Sequence, residues 1–335
     1  GPACYNRGDT EPAVTDANIV LGRLDPDQML GGDLNLDPTL SAKAIKEKIA
    51  DPLGLSVKDA ALGILKIVNN NMALAIRSNS VARGVDPRDF VLMPFGGAGP
   101  VHGPALAEEV NAKAVFVPPA PGITAAAGLL TTNLQYEATR SLLCDLDTIS
   151  DQNLSRLQGY LGQLEEEIIH KLRDDGVESE NMLLTRLAEC RYYGQGFELR
   201  ATIPAGEVTR EGLQAVIDTF HQAHETDYGY CFKDAVVELV TLRVIGNAES
   251  SKLDWPLSEE AGADDLAAAF MYERPTVFDD GQECMTPRYH RKALKAGQQV
   301  PGPALLMQHD STSLVPPGWS ASISKYGNLF ISKDQ

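Results

Sequence analysis

The amino-acid sequence predicts an α/β protein with more than one domain. Three observations carry this. Between Asp86 and Leu130 the pattern runs strand, glycine turn, helix, strand, loop, helix. Between Met182 and Glu249 it runs strand pair, helix, strand, and beyond Ser251 short β segments are separated by Gly and Pro turns. Strands that alternate with helices imply a parallel or mixed sheet. A chain of 335 residues also has room for two or three domains, each with its own core.

Taken in order, residues 1–30 form a loop rich in Gly, Pro, Asn and Asp that leads into VTDANIVLGRL. There Asp16 is placed to cap a short helix with Ile19, Val20 and Leu24 on one side. SAKAIKEKIA, from Ser41, is amphipathic and predicts a second helix. From Ser56 to Ser80, Ala60, Ile64, Ile67, Met72 and Ile76 recur at helical spacing, which predicts a long helix against a core. Asn69, Asn70 and Asn71 are weak helix formers in its middle, so they are either exposed or face something polar. FVLMPF then reads as a buried strand, Pro100 to Val110 as a helix and AVFVP as the next strand. The first domain, 1–137, is expected to end there.

The second, 138–250, opens on a long helix with Leu154, Leu157, Leu161, Leu164 and Ile168 on one face. MLLTRLAECRYYGQGFELRATIP alternates like a strand pair, GLQAVIDTFHQAHETDYGY is helical, and VVELVTLRVIGNAE is a strand. The third, 251–335, starts as an acidic linker and continues as a small β barrel or sandwich with turns at DDG, PPG and YGN.

Composition limits the function classes. With 46 acidic against 29 basic residues the net charge is −17, which disfavours nucleic acid and anionic membranes as partners. A bound phosphate therefore needs a local site. No apolar run reaches the roughly 18 residues a membrane helix requires, and no secretory signal is visible. Cys4, Cys144, Cys190, Cys231 and Cys284 are scattered without a C-x-x-C pair, which suits reduced thiols in a cytoplasmic protein. The sequence opens at Gly1 in a turn-rich segment, which predicts a piece of a longer or split subunit.

The strongest local chemical signal is Phe95-Gly96-Gly97-Ala98-Gly99-Pro100-Val101-His102. Glycines between a strand and a helix let backbone approach a ligand, and the helix N-terminus offers free amides to an anion. A turn that only packs the helix on the sheet would look the same. The run is neither a P-loop nor a G-x-G-x-x-G fingerprint. His102, just inside the helix, could bond a ligand or the backbone. His221 and His224 lie one turn apart with Glu225 nearby, yet no third ligand is in sight, so an exposed polar helix face is expected and no metal site is assigned. Asp145 with Asp147 and Asp279 with Asp280 read as solvated loop carboxylates.

Five segments together resemble the hydantoinase A/5-oxoprolinase family: GPACYNRGDTEPAVTDANIVLGRLDP, SNSVARGVDPRDFVLMPFGGAGPVHGPALA, PGITAAAGLL, RYYGQGFEL and GPALLMQHDSTSLVPPGW. The resemblance implies the second lobe of an actin-like, sugar-kinase-like ATPase fold, followed by an α/β domain and a small C-terminal β domain. It implies ATP and Mg²⁺ as cofactors, with Gly96, Gly97, Ala98 and Gly99 as nucleotide-contacting backbone and Asp16 and His102 as catalytic polar groups at the cleft. It further implies ATP-dependent ring opening of a cyclic amide such as a hydantoin, 5-oxoproline or a lactam. The alternatives are the nucleotide-binding subunit of a ketone carboxylase, or a non-catalytic scaffold fragment. The implied partners are a hydantoinase B-like subunit and the N-terminal half of the ATPase domain, in a hetero-oligomer. One departure stands out: the family usually has Gly-Arg-Gly-Gly-Thr where this chain has Asn6-Arg7-Gly8-Asp9-Thr10. A carboxylate at Asp9 would oppose a nearby phosphate.

Overall fold

In the computed structural model, which describes residues 1–34, 36–248, 255–261 and 265–334, the main helices in chain order are α1 (Val14–Val20), α2 (Pro38–Ile45), α3 (Val57–Ser80), α4 (Gly99–Val110), α5 (Thr124–Leu130), α6 (Asp151–Asp174) and α7 (Arg210–Tyr228). The strands are β1 (Val115–Val117), β2 (Leu134–Asp145), β3 (Met182–Tyr192), β4 (Leu199–Ile203), β5 (Val237–Ala248), β6 (Phe270–Val277), β7 (Glu283–His290), β8 (Gln299–Pro301), β9 (Ala304–Gln308), β10 (Ser311–Val315), β11 (Trp319–Ile323) and β12 (Leu329–Lys333). Packing divides them into one unit of Gly1–Leu130 with Asp254–Gln335 and another of Thr131–Leu253. Residues of the first and last expected segments share the first unit.

In the first unit, α1, α2 and α3 enclose Ala17, Leu21, Ile45, Ala60, Ala61 and Leu65. Ser56 starts α3 by accepting the Asp59 amide, satisfying one of the helix's orphan donors. The buried stripe of α3 is Ala60, Leu65, Asn69 and Ala73, so the expected face is rotated and Ile67 is exposed. Small residues on that stripe let neighbouring helices approach closely.

Two four-stranded sheets complete this unit, in the orders β1-β12-β11-β8 and β10-β9-β7-β6. β1 pairs antiparallel with β12, so an early strand and the last one share a ladder. Among the described residues, parallel links are β7 with β9 and single bridges from Leu92 to Val115 and from Glu260 to Ala296. The expected sheet is thus mixed, and mostly antiparallel. Val115, Val117, Val300, Leu306, Trp319, Ala321 and Ile331 fill its core. FVLMPF departs from expectation: it forms only the single bridge, and Phe90, Val91, Met93 and Phe95 are between 45% and 55% exposed.

The second unit is a four-stranded antiparallel sheet, β2-β5-β3-β4, carrying α6 and α7. Leu157, Leu161, Leu164, Ile168 and Leu172 of α6 pack into one core with Leu213, Val216, Ile217 and Phe220 of α7. Burial at i, i+4, i+7 and i+11 is what an amphipathic helix requires. Gly246 of β5 allows the close approach, since a Cβ there would lie 2.2 Å from Ile168.

Candidate functional site

Three turns of the first unit converge on the glycine run. Gly96 adopts φ +83°, conformational space that glycine enters at little cost. Its amide donates to the Pro121 carbonyl at 2.7 Å, which ties the run to the Pro118–Gly122 turn. A Cβ on Gly97 would lie 3.1 Å from the Asp310 carbonyl, so the hairpin turn between β9 and β10 closes the third side. Gly97 and Ala98 themselves remain exposed. Ala98 caps α4, a 12-residue helix, without a side-chain acceptor; Pro100 carries no N–H and Val101 and His102 are buried, so the donors nearest the surface are those of Gly97, Ala98 and Gly99. Such an end carries a partial positive charge and unfilled donors, the physical basis of anion binding by backbone.

The turns are held by a buried arginine. Arg291 donates through Nη1 to Gln308 Oε1 at 2.9 Å and through Nη2 to the carbonyls of Val117 and Pro118 at 3.1 and 2.6 Å. Burial lowers its pKa to about 10, partly offset by the Asp310 charge, so it stays protonated at neutral pH. Gln308 passes the link on, donating to Pro119 O at 3.2 Å and Asp310 Oδ1 at 3.0 Å. Asp310 is thereby seated on Gly122, where a Cβ would meet its Oδ2 at 2.2 Å. Arg291, Gln308, Asp310 and Gly122 were not singled out from sequence. Gln308, Asp310 and Gly122 lie inside quoted motifs, but nothing local marks their convergence.

His102 lies just beneath the turn, 7% exposed. Its Nδ1 is 2.8 Å from Asn69 Oδ1. With the amide oxygen presented, Nδ1 donates and Nε2 is left as an acceptor. Burial, aided by the Arg23 charge, holds the imidazole below its ordinary pKa and therefore neutral at pH 7. The middle of α3 thus faces something polar at Asn69, while Asn70 and Asn71 are exposed. A hollow of about 390 Å³ opens beside the turn, lined by Val14, Val68, Met72, Phe95, His102 and Leu106 among others.

Asp16 lies elsewhere in the unit's hydrogen bonding. It sits at the third position of α1 behind the N-cap Ala13. Its two oxygens accept from the amides of Ala3, Cys4 and Ala13 at 2.8 to 3.0 Å and from Ser41 Oγ at 2.7 Å. Burial alone would raise this carboxyl, but the Ser41 hydroxyl and the amides outweigh it and hold the pKa below the usual range. All four bonds come from the chain itself, and the side chain is fully buried, so the expectation of a catalytic group at the cleft meets a carboxylate already saturated. The same carboxylate and burial push the Cys4 thiol up to about 12. Further along this motif, buried Asp25 meets Tyr272 Oη at 2.8 Å, Arg274 at 3.1 Å and Arg288 at 3.3 Å. Asp9 is exposed in the N-terminal loop.

Other expectations change with the structure. His221 and His224 are buried, where an exposed polar face was expected. His221 Nδ1 meets Tyr192 Oη at 2.7 Å, and His224 Nδ1 meets the Tyr230 carbonyl at 2.7 Å, within a nest of aromatic rings. Imidazoles satisfied in this way tolerate burial. Asp279 is the partner of buried Arg23 at 2.8 Å, and Asp147 accepts the Val237 amide at 2.9 Å, so neither is a plain solvated carboxylate. Among the described residues no group of three or more His, Cys, Asp or Glu is placed to hold a metal.

Residues 1–138 match the hydantoinase/oxoprolinase model and residues 147–333 the hydantoinase/oxoprolinase C-terminal domain. The caprolactamase alpha subunit of Pseudomonas jessenii is 37% identical, covering 96% of this chain and 46% of that protein. The acetophenone carboxylase gamma subunit of Aromatoleum aromaticum is 32% identical, covering 98% and 45%. Among solved structures, nucleotide-free acetone carboxylase superposes with a TM-score of 0.85 at 26% identity over 99% of this chain and 48% of that one. The ATP-dependent caprolactamase of P. jessenii gives 0.73 at 35% over 100% and 48%. The chain thus spans about half the length of the relatives it matches. With a family model matched over more than half its residues and a shared α/β fold, the chain belongs to the hydantoinase/oxoprolinase family.

Proposed function

We propose that this chain supplies one wall of the nucleotide site in an ATP-dependent enzyme that opens a cyclic amide. One observation carries the reading: bare backbone at Gly97 and Ala98 stands exposed at the uncapped N-terminus of α4. No side chain covers it, and the surrounding turns hold it in place. It fits the phosphate or ribose edge of a nucleotide, with amides as donors. Bound ATP would supply a phosphoryl group to the amide oxygen, making the carbonyl carbon electrophilic enough for water to add and the ring C–N bond to break, with the ring nitrogen leaving as the amine. Gly96 to Gly99 bind and orient. Neutral His102 and saturated Asp16 position the turn and the N-terminal segment.

Asp310 turns its backbone carbonyl to Gly97 and its carboxylate to Gly122 in the adjoining turn. Beside a phosphate it is repulsive unless a cation intervenes, so we assign it to the Mg²⁺ that accompanies ATP. Magnesium keeps several water ligands and commonly takes only one or two carboxylates. The names of the relatives, subunits alpha and gamma, support a hetero-oligomer in which other polypeptide completes the site. Among the described residues no helix is long and apolar enough to cross a membrane.

A second reading, activation of a ketone for carboxylation, is favoured by the higher TM-score to acetone carboxylase. Identity points the other way, toward caprolactamase. We weight identity, because it reports side chains as well as backbone path. The test is ADP release by the complete assembly with hydantoin, 5-oxoproline, a lactam, or a ketone plus bicarbonate. Turnover with a cyclic amide is expected; turnover only with ketone and bicarbonate replaces the hydrolase reading with the carboxylase one.

A further inference from the structure

Arg291 follows β7 and is buried, yet its hydrogen-bond partners among the described residues are all neutral. Besides Gln308 Oε1 and the carbonyls of Val117 and Pro118, its Nη2 reaches the Gly327 carbonyl at 3.4 Å. The charge that bears on it is Asp310, from beyond Gln308. A buried charge that touches no carboxylate is costly, and replacing buried charged groups by well-packed apolar ones is often neutral or stabilising. An arginine at this position therefore asks for a reason other than stability. What its planar fork adds is direction: it draws three turns, at Pro118, Gly327 and Gln308, to one point.

Gln308 gives that direction a target. Arginine has donors only, so the Gln308 oxygen must face Arg291 and the amide nitrogen must face away. That nitrogen donates to Pro119 O at 3.2 Å and to Asp310 Oδ1 at 3.0 Å. Asp310 is thereby fixed at both ends, its carboxylate between Gln308 and Gly122 and its carbonyl against Gly97. Gly96 is tied to the same turn through the Pro121 carbonyl. We propose that Arg291 and Gln308 are positioning residues for the nucleotide: from behind the glycine run they hold Asp310 and the Pro118–Gly122 turn where Gly97 and Ala98 stay open to the ligand. Both act through these turns. The inference rests on the proposed nucleotide site and names the residues on which its affinity depends.

Gln308→Glu in the complete assembly tests it. The new carboxylate still accepts from Arg291 and gives that buried charge a counter-ion, but it replaces the donor to Asp310 with an oxygen of like charge. The thermal midpoint is expected to move by no more than about 3 °C, while calorimetry at pH 8 shows Mg-ATP binding weakened about tenfold or more. Two carboxyls forced together share a proton as pH falls, so the ratio of variant to unaltered Kd shrinks severalfold between pH 8 and pH 5.5. His309 and Asp33, the other titratable groups at this turn, are common to both proteins and cancel in that ratio. Equal binding by variant and unaltered protein overturns the inference. So does a loss of affinity that tracks a loss of stability, or a ratio that ignores pH, either of which leaves Gln308 a structural residue. Arg291→Lys keeps the charge but cannot bridge Gln308 and the carbonyls at once, and is expected to weaken binding about threefold or more. Should Gln308→Glu fail to assemble, unchanged affinity in Arg291→Lys overturns the inference in its place. An unaltered assembly that binds no Mg-ATP removes the nucleotide reading itself and this inference with it.

Discussion

β2 in the second unit and the Phe90–Phe95 segment in the first each present an unpaired edge, and they manage it in opposite ways. β2 exposes Gln135, Glu137, Thr139, Arg140 and Ser141, with Leu143 the one large apolar side chain exposed among them; the polar and charged groups discourage further pairing. Phe90–Phe95 exposes two phenylalanines, a valine and a methionine. The first edge is a boundary. The second has the chemistry of an interior, and the contrast is between these two edges and not between whole units, since the second unit also exposes Leu183, Tyr193 and Phe197.

Mutations sharpen this difference. Within the closed core, Leu161→Ala removes a fully buried side chain between α6 and the sheet. Urea unfolding is expected to show a loss of about 3–5 kcal/mol. Asp16→Ala strands three amides and a hydroxyl, and is expected to cost about 2–4 kcal/mol by the same assay. Because its folded pKa is depressed, Asp16 contributes its stability above the ordinary carboxyl range and loses it as pH falls through the lower folded value. The unaltered chain therefore weakens in acid relative to Asp16→Asn. Gly122→Ala drives a methyl into Asp310, so a loss of about 1–3 kcal/mol is expected, together with weaker Mg-ATP binding by calorimetry.

His102 gives a smaller signal of defined sign. Its folded pKa lies below the unfolded value near 6.5, so the unfolded state binds protons first as pH drops. Its contribution is complete above that value and declines below it. Thermal melts from pH 7.5 to 5 should slope downward toward acid, and His102→Gln should flatten that slope. Smallest of all, Val91→Ser in the isolated chain is expected to change stability by no more than about 0.5 kcal/mol, whereas a comparable polar change in the α6 stripe would be severe.

Particular residues show what the sequence makes legible. The Leu157 to Leu172 stripe was readable because helix period and burial coincide within one element. The Gly96 to Gly99 run was readable as a turn between an extended segment and a helix, while its exposure at Gly97 and Ala98 was one of two alternatives the glycines left open. Asn69 meeting His102 was not, since the partners are 33 residues apart and nothing local couples the two. His221 and His224 misled for the same reason: Tyr192 and the Tyr230 carbonyl, which make their burial tolerable, come from other elements. Arg291 carries no mark in the sequence, and only the convergence of carbonyls from Val117 and Pro118 with Gln308 explains its burial. At Phe90–Phe95 the apolar run pointed to a buried strand, whereas the segment forms a single bridge and leaves Phe90, Val91, Met93 and Phe95 exposed.

The most direct test is residue-resolved amide exchange or NMR of the complete assembly on addition of Mg-ATP. Gly97, Ala98 and Gly99 amides are expected to shift and slow, and Gly97→Val to abolish both the response and the binding. Tight Mg-ATP binding that leaves those three amides unmoved would contradict the assignment of this turn to the nucleotide.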